Sequence, residues 1–129
     1  MVVDDDPGDR ASMRSALAAE GYSVLEAADY WQALSTYEQH HGKIAMLLTA
    51  IALPGNNGYE LAHSLSTTDP ALRVLFVSGL TGTEVSRFYN MPVRGPHLID
   101  KPVQMSELVA RVNRAFRSRV RELRVQHAG

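Results

Sequence analysis

The chain has no cysteine, which excludes a disulfide framework and any thiolate metal site and suits a reducing compartment such as the cytoplasm. It also has almost no excess of charge: a formal net charge of −1 leaves no overall field to draw it to nucleic acid or an anionic membrane, so such a partner would need a local patch. Long apolar runs are missing as well. Nothing approaches the roughly 18 residues that cross a bilayer, and no signal peptide precedes Asp4, so no membrane partner is expected. Repeats and low-complexity tracts are absent, and aromatic residues make up only 7% of the chain.

What is present fits one compact domain. At 129 residues and 45% apolar content the chain can bury a single core of ordinary size. Short β-branched or leucine-rich runs alternate with longer segments of helical period, the pattern of an α/β fold with a parallel sheet covered on both faces. Strands are expected over residues 2–3, 23–27, 44–49, 73–77 and 97–99. The first of these is short for a strand, with Met1 directly against it, which suggests a piece of a longer protein.

The first helix should start at Pro7 with Asp6 as its cap and end at Gly21 in a left-handed C-terminal conformation. A second fits residues 30–39, where Trp31, Leu34 and Tyr37 recur at helical spacing. A third should cover residues 58–65 and stop before Asp69-Pro70, because the residue before proline is pushed out of helical geometry. A fourth is expected between Thr83 and Tyr89, followed by a turn-rich approach over residues 91–96. The last should begin near Met105 or Ser106 and align Leu108, Val109, Val112 and Phe116 on one apolar stripe.

In open parallel sheets the functional crevice lies beyond the carboxyl ends of the strands. The polar residues there are Asp4-Asp5-Asp6, Thr49 beside Ala50, Ser78 and Asp100-Lys101-Pro102. Three successive carboxylates repel one another and suit a hard cation with oxygen ligands, magnesium above all. Taken alone, such a triplet is more often one helix cap and two solvated acids. Ser78 before Gly79 is more often a turn residue than a donor to a phosphoryl oxygen, and a lone lysine is usually solvated. Lys101, however, has anionic neighbours to meet and is expected beside Asp4 and Asp5.

Four segments carry a resemblance: Val-Val-Asp-Asp-Asp-Pro at 2–7, Leu-Leu-Thr-Ala-Ile-Ala-Leu-Pro-Gly-Asn-Asn-Gly at 47–58, Val-Leu-Phe-Val-Ser-Gly at 74–79 and Asp-Lys-Pro at 100–102. In this order, each at an expected strand end, they resemble the receiver domains of two-component response regulators, and most of all those attached to hybrid histidine kinases. The resemblance implies a flavodoxin-like (βα)5 doubly wound fold with five parallel strands in the order 2-1-3-4-5. It implies that Asp4, Asp5 and the backbone carbonyl of Ala52 hold Mg2+, that Ser78 is the switch hydroxyl and that Lys101 contacts the phosphoryl group. It also implies an aspartate where Ala50 stands.

A methyl group accepts no phosphoryl group, and the missing carboxylate would have been a metal ligand too, so magnesium binding should weaken. Leu98 departs from the aromatic residue often found three places before the lysine. Thr49 points to the opposite face of its strand and Asp6 is committed to capping, so neither replaces the nucleophile. Ala50 is either a natural feature of a degenerate receiver that works by binding alone or a laboratory Asp-to-Ala replacement in an intact one.

The family's partners are a histidine kinase or phosphotransfer protein, or a downstream output domain, and a homodimer is left open. Residues 1–118 form the receiver on this reading, and residues 119–129 a C-terminal helix extension or tail. Arg111, Arg114, Arg117, Arg119, Arg121 and Arg124 complement the dipole of the last helix. Val112, Phe116, Val120 and Leu123 continue its apolar spacing, as a linker or partner-binding helix would. Nucleic-acid binding is not expected, for want of an aromatic platform or a recognition helix. Two other classes share parts of the pattern. A flavodoxin-like FMN carrier would need a hydroxyl- or glycine-rich loop where this chain is acidic. A phosphoryl-transfer enzyme of the haloacid dehalogenase type would use Asp4 and Asp6 but is usually longer. The receiver reading predicts no enzymatic activity.

Overall fold

A computed structural model of the chain describes residues 1–79 and 97–128, with the side chains of the last helix described to Arg117. Among these residues the order is β1 (Val2–Val3), α1 (Pro7–Ala19), β2 (Glu26–Ala27), α2 (Tyr30–Gln39), β3 (Met46–Ala50), α3 (Gly58–Thr68), β4 (Arg73–Ser78), β5 (Leu98–Asp100) and α4 (Met105–Ala128). The helix expected between Thr83 and Tyr89 and the approach over residues 91–96 lie outside the described residues, as do the side chains of Arg119, Val120, Arg121, Leu123 and Arg124.

The five strands form one parallel sheet in the order β2-β1-β3-β4-β5, the expected topology. Side chains alternate across β3, and this sorts the core into two layers. Leu47 packs on one face with Tyr37, Leu61, Leu65 and Phe76 beneath α2 and α3. Met46 and Leu48 pack on the other with Met13, Leu17, Leu108 and Val112 beneath α1 and α4. Side chains buried to this degree contribute about 1.5–3 kcal/mol each through removal from water.

The helix termini follow from local chemistry. Asp6 caps α1 by accepting the Asp9 amide at 2.9 Å, Asp29 caps α2 through Gln32 at 2.7 Å, and Asn57 caps α3 through Glu60 at 2.8 Å. Gly21, just beyond α1, sits at φ 94°, a left-handed conformation open to glycine at little cost. The third helix runs three residues past the expected Leu65, to Thr68, and ends where Asp69, preceding Pro70, takes φ −132° and ψ 85°. Its stop is set by the proline, as expected, but the polar run Ser66-Thr67-Thr68 remains helical.

β2 is shorter than residues 23–27. It is an edge strand whose ladder extends only where β1 runs beside it, in the pairs Val2–Glu26 and Val3–Ala27. α2 buries only part of the Trp31, Leu34 and Tyr37 set that recurs at helical spacing. Tyr30, Ala33 and Tyr37 are buried, while Trp31 is 65% exposed and Leu34 is half-buried at the edge of the core. The Tyr30 hydroxyl reaches Ser64 Oγ at 3.2 Å, a contact that joins the buried face of α2 to α3.

Candidate functional site

The carboxyl ends of β1, β3, β4 and β5 bring Asp4, Ala50, Ser78 and Lys101 to one edge of the sheet. Asp4 is fully buried. Its amide donates to the Ala27 carbonyl at 3.1 Å, its Oδ1 accepts the Asp6 amide at 2.9 Å, and its carbonyl accepts Arg10 Nη1 at 2.7 Å. Strand pairing and the first turn of α1 therefore hold this carboxylate from both sides.

Lys101 Nζ lies 2.9 Å from Asp4 Oδ2 and 3.0 Å from Asp9 Oδ2. The buried Asp4 Oδ2 has no well-aligned hydrogen bond, so its contact with the ammonium is mainly ionic. Burial pulls the lysine pKa down, but the attraction of the Asp4 and Asp9 carboxylates outweighs it and leaves the pKa above its ordinary value. The lysine backbone is also tied down, since its N–H donates to the Ser78 carbonyl at 2.9 Å. Ser78 itself is buried, at the last position of β4.

Asp5 is exposed and, among the described residues, makes no ion pair. The expectation that Lys101 sits beside Asp4 and Asp5 is corrected here: its second carboxylate is Asp9. Successive residues leaving a strand diverge, so Asp5 turns outward, whereas Asp9 comes back over the crevice on the first turn of α1. From the sequence Asp9 was legible only as an acid complementing a helix N-terminus. Arg10 was missed for a similar reason. It reads as one cation of a solvated helix, yet it fastens the Asp4 carbonyl and pairs with Glu26 at 3.5 Å.

Ala50 closes β3 with its methyl buried, at 4% exposure, opposite Val77 in the β4 register. The Thr49 hydroxyl donates to the Ala50 carbonyl at 2.9 Å and is spent on that bond. Ala52, whose carbonyl the resemblance gives to a metal, is exposed in the loop that follows. These residues do not fit a resident magnesium ion. Asp4 has both oxygens committed and Asp5 stands alone, and no group of three His, Asp or Glu residues is placed to share an ion among the described residues.

Two further assignments change. Asp6 is held as the α1 cap, so Asp4 and Asp6 are not a free pair for phosphoryl transfer. Arg111 does more than complement a dipole, since its Nη2 donates to the Leu98 carbonyl at 2.7 Å and its Nη1 approaches Glu107 at 3.4 Å. A cavity of about 630 Å³ lies elsewhere, lined by Tyr59, His63, Phe76 and Arg114 among others and by none of the crevice residues.

The comparisons with known proteins agree with this geometry. The family described as "Response regulator receiver domain" matches residues 1–113. The sensor kinase CckA of Brucella abortus is 28% identical over 113 residues, which are 87% of this chain and 12% of that protein. The transcriptional regulatory protein AruR of Pseudomonas aeruginosa is 30% identical over 131 residues, 99% of this chain and 50% of that one. The chain thus spans half or less of the length of these two relatives. Among solved structures, the receiver domain of the hybrid histidine kinase CckA superposes with a TM-score of 0.72 at 30% identity, covering 88% of this chain and 94% of that one. A CheY-like receiver from Methanospirillum hungatei gives 0.79 at 28% identity, covering 94% of both. With its sheet order, its strand-end residues and a match over residues 1–113, the chain belongs to the response regulator receiver domain family.

Proposed function

We propose that this chain is a two-component receiver that works through protein contacts and takes no phosphoryl group at position 50. The observation that carries the reading is the buried Ala50 methyl at the end of β3, where the family's acceptor aspartate would stand. Receiver domains exchange contacts with histidine kinases, phosphotransfer proteins and output domains, and these are the partners proposed for this chain, in a reducing, cytoplasmic setting. Asp4 and Asp5 are assigned as remnants of a magnesium site weakened by the loss of the third carboxylate. Ser78 is assigned as the switch hydroxyl and Lys101 as the cation facing the acceptor position. Residues 1–118 are assigned to the receiver and residues 119–129 to an extension of its last helix.

A flavin carrier and a dehalogenase-type enzyme are less well supported. The loop after β1 is acidic, not a phosphate cradle, and Asp6 is occupied as a helix cap. The test is incubation with acetyl phosphate and magnesium, followed by intact-mass measurement. No mass change is expected for this chain, and one hydroxylamine-labile phosphoryl group for Ala50→Asp. A phosphoryl group on the unaltered chain would overturn the reading.

A further inference from the structure

The crevice already contains a cation, and it belongs to the chain. We propose that Lys101 is clamped between Asp4 and Asp9 as the resident cation of this site, so that a divalent ion meets an occupied carboxylate and not an open one. The inference rests on the receiver reading of the crevice but goes beyond the missing carboxylate at position 50. It names a second, independent block to metal, and a residue, Asp9, that positions it.

Each part of the clamp is held from outside the crevice. Asp4 Oδ1 already accepts the Asp6 amide at 2.9 Å, which leaves Oδ2 as the less encumbered oxygen for a metal, and Lys101 Nζ is 2.9 Å from it. The lysine cannot withdraw by moving its backbone, because its N–H is bonded to the Ser78 carbonyl at 2.9 Å at the end of β4. Its side chain is 23% exposed, so water reaches the ammonium but does not surround it.

Asp9 supplies the second anchor at 3.0 Å. One ammonium between two carboxylates gains attraction from both and relieves their mutual repulsion. A hard divalent ion in the same place would have to displace that ammonium into solvent. It would gain Asp4 Oδ2, the exposed Asp5 and backbone oxygen, which is little for an ion that seeks six oxygen ligands and gives up water reluctantly. Asp9 acts through Lys101 and is a positioning residue.

The clamp and simple charge balance predict opposite signs for one variant. If Asp9 only adds negative charge near a weak metal site, Asp9→Asn must weaken magnesium binding. If Asp9 holds the ammonium over Asp4, the same change loosens the competitor and binding strengthens. Calorimetric titration with magnesium chloride, with the emission of Trp31 as a second readout, is applied to the unaltered chain and to Asp9→Asn, Lys101→Gln and Ala50→Asp. Lys101→Gln should bind magnesium roughly tenfold more tightly than the unaltered chain, about 1.4 kcal/mol, and Asp9→Asn should be tighter by a smaller factor. Unchanged or weaker binding in Asp9→Asn overturns the clamp. That variant alters an exposed helix turn and decides the matter even if Lys101→Gln does not fold. Ala50→Asp tests the other reading separately when it is made both alone and together with Asp9→Asn: no gain of magnesium over the matching background in either case counts against the assignment of position 50, while the clamp stands or falls on the other two variants.

Discussion

The backbone carbonyl of Ala50 and the α-carbon of Gly58 approach so closely that a Cβ at position 58 would lie 2.0 Å from the Ala50 oxygen and 3.0 Å from Thr49 Oγ1. The loop after β3 therefore doubles back and seats the start of α3 directly on the strand end, a return fastened by the Gly58 amide donating to the Ile51 carbonyl at 2.7 Å. Both partners in the close approach are backbone, so neither can rotate away. Gly58→Ala should destabilise the fold by about 3 kcal/mol or more, in the range of severe backbone and packing defects. Urea unfolding gives the measurement, and a change within about 0.5 kcal/mol, the range of ordinary surface substitutions, would show that the loop is free to move.

Lys101 offers a second stability test. Replacement by methionine leaves the buried Asp4 without its cation, a loss that would be large in a dry interior but is screened at this partly open edge. A cost of about 1 kcal/mol at neutral pH is expected. The sign with pH follows from the raised lysine pKa. The folded state binds the proton more tightly than the unfolded state, so the stabilisation is complete below the ordinary value of 10.5 and disappears as pH rises through the folded value. The gap between the unaltered chain and Lys101→Met should therefore close above that pH. A gap that persists there unchanged would mean the lysine stem, not its charge, is what matters.

The alternation of strands and helices and the cap of α1 were legible because they rest on short-range chemistry, namely apolar period, Asp before a helical run and glycine past a helix end, whereas the sheet order came from the resemblance to receiver domains. The crevice was legible in part. Asp4, Ser78 and Lys101 sit at strand ends, and strand ends are visible in a sequence. Asp9 was not, because its meaning depends on α1 folding back over the exit of β5, a relation between two ends of the chain that no local pattern encodes. The exposure of Trp31 was not legible for a related reason. Helical spacing gives a stripe but not which of two neighbouring stripes turns inward, and here Tyr30, with both a ring to bury and a hydroxyl to place on Ser64, decided it.

Tyr37 carries the second pH prediction. Its ring is buried and its hydroxyl donates to Asp69 Oδ2 at 3.1 Å, joining the end of α2 to the end of α3. Burial, then the hydrogen bond and the charge of Asp69, raise its pKa above 10.0. Tyr37→Phe should cost about 1 kcal/mol at neutral pH, the usual net value of one hydrogen bond. Because the folded pKa is the higher one, the tyrosine stabilises fully below its ordinary value and loses that contribution as pH rises through the folded value. Thermal melts at neutral and alkaline pH should show the two proteins converging. Equal stability at neutral pH would place this bond among those that water replaces at no cost.

Gly55 sits beside the crevice in the loop between β3 and α3, at φ 91°, and a Cβ there would meet Trp31 Nε1 at 2.8 Å and Tyr30 Cβ at 3.6 Å. Two costs compete in Gly55→Ala: a left-handed backbone and a clash with the indole. The indole is 65% exposed and ends a rotatable side chain, so it can swing outward, whereas the backbone cannot change φ while the Pro54 carbonyl accepts the Tyr30 amide at 3.3 Å. The backbone term should dominate, at about 1–2 kcal/mol for a non-glycine residue in this region. The displaced indole should shift the emission of Trp31 to the red as its contact with the loop is lost, and since the chain holds one tryptophan the signal has a single source. A stability loss with unshifted emission would mean the ring stays against the loop and the loop itself has moved. An unshifted spectrum with unchanged stability would remove the close packing of Trp31 on Gly55 altogether.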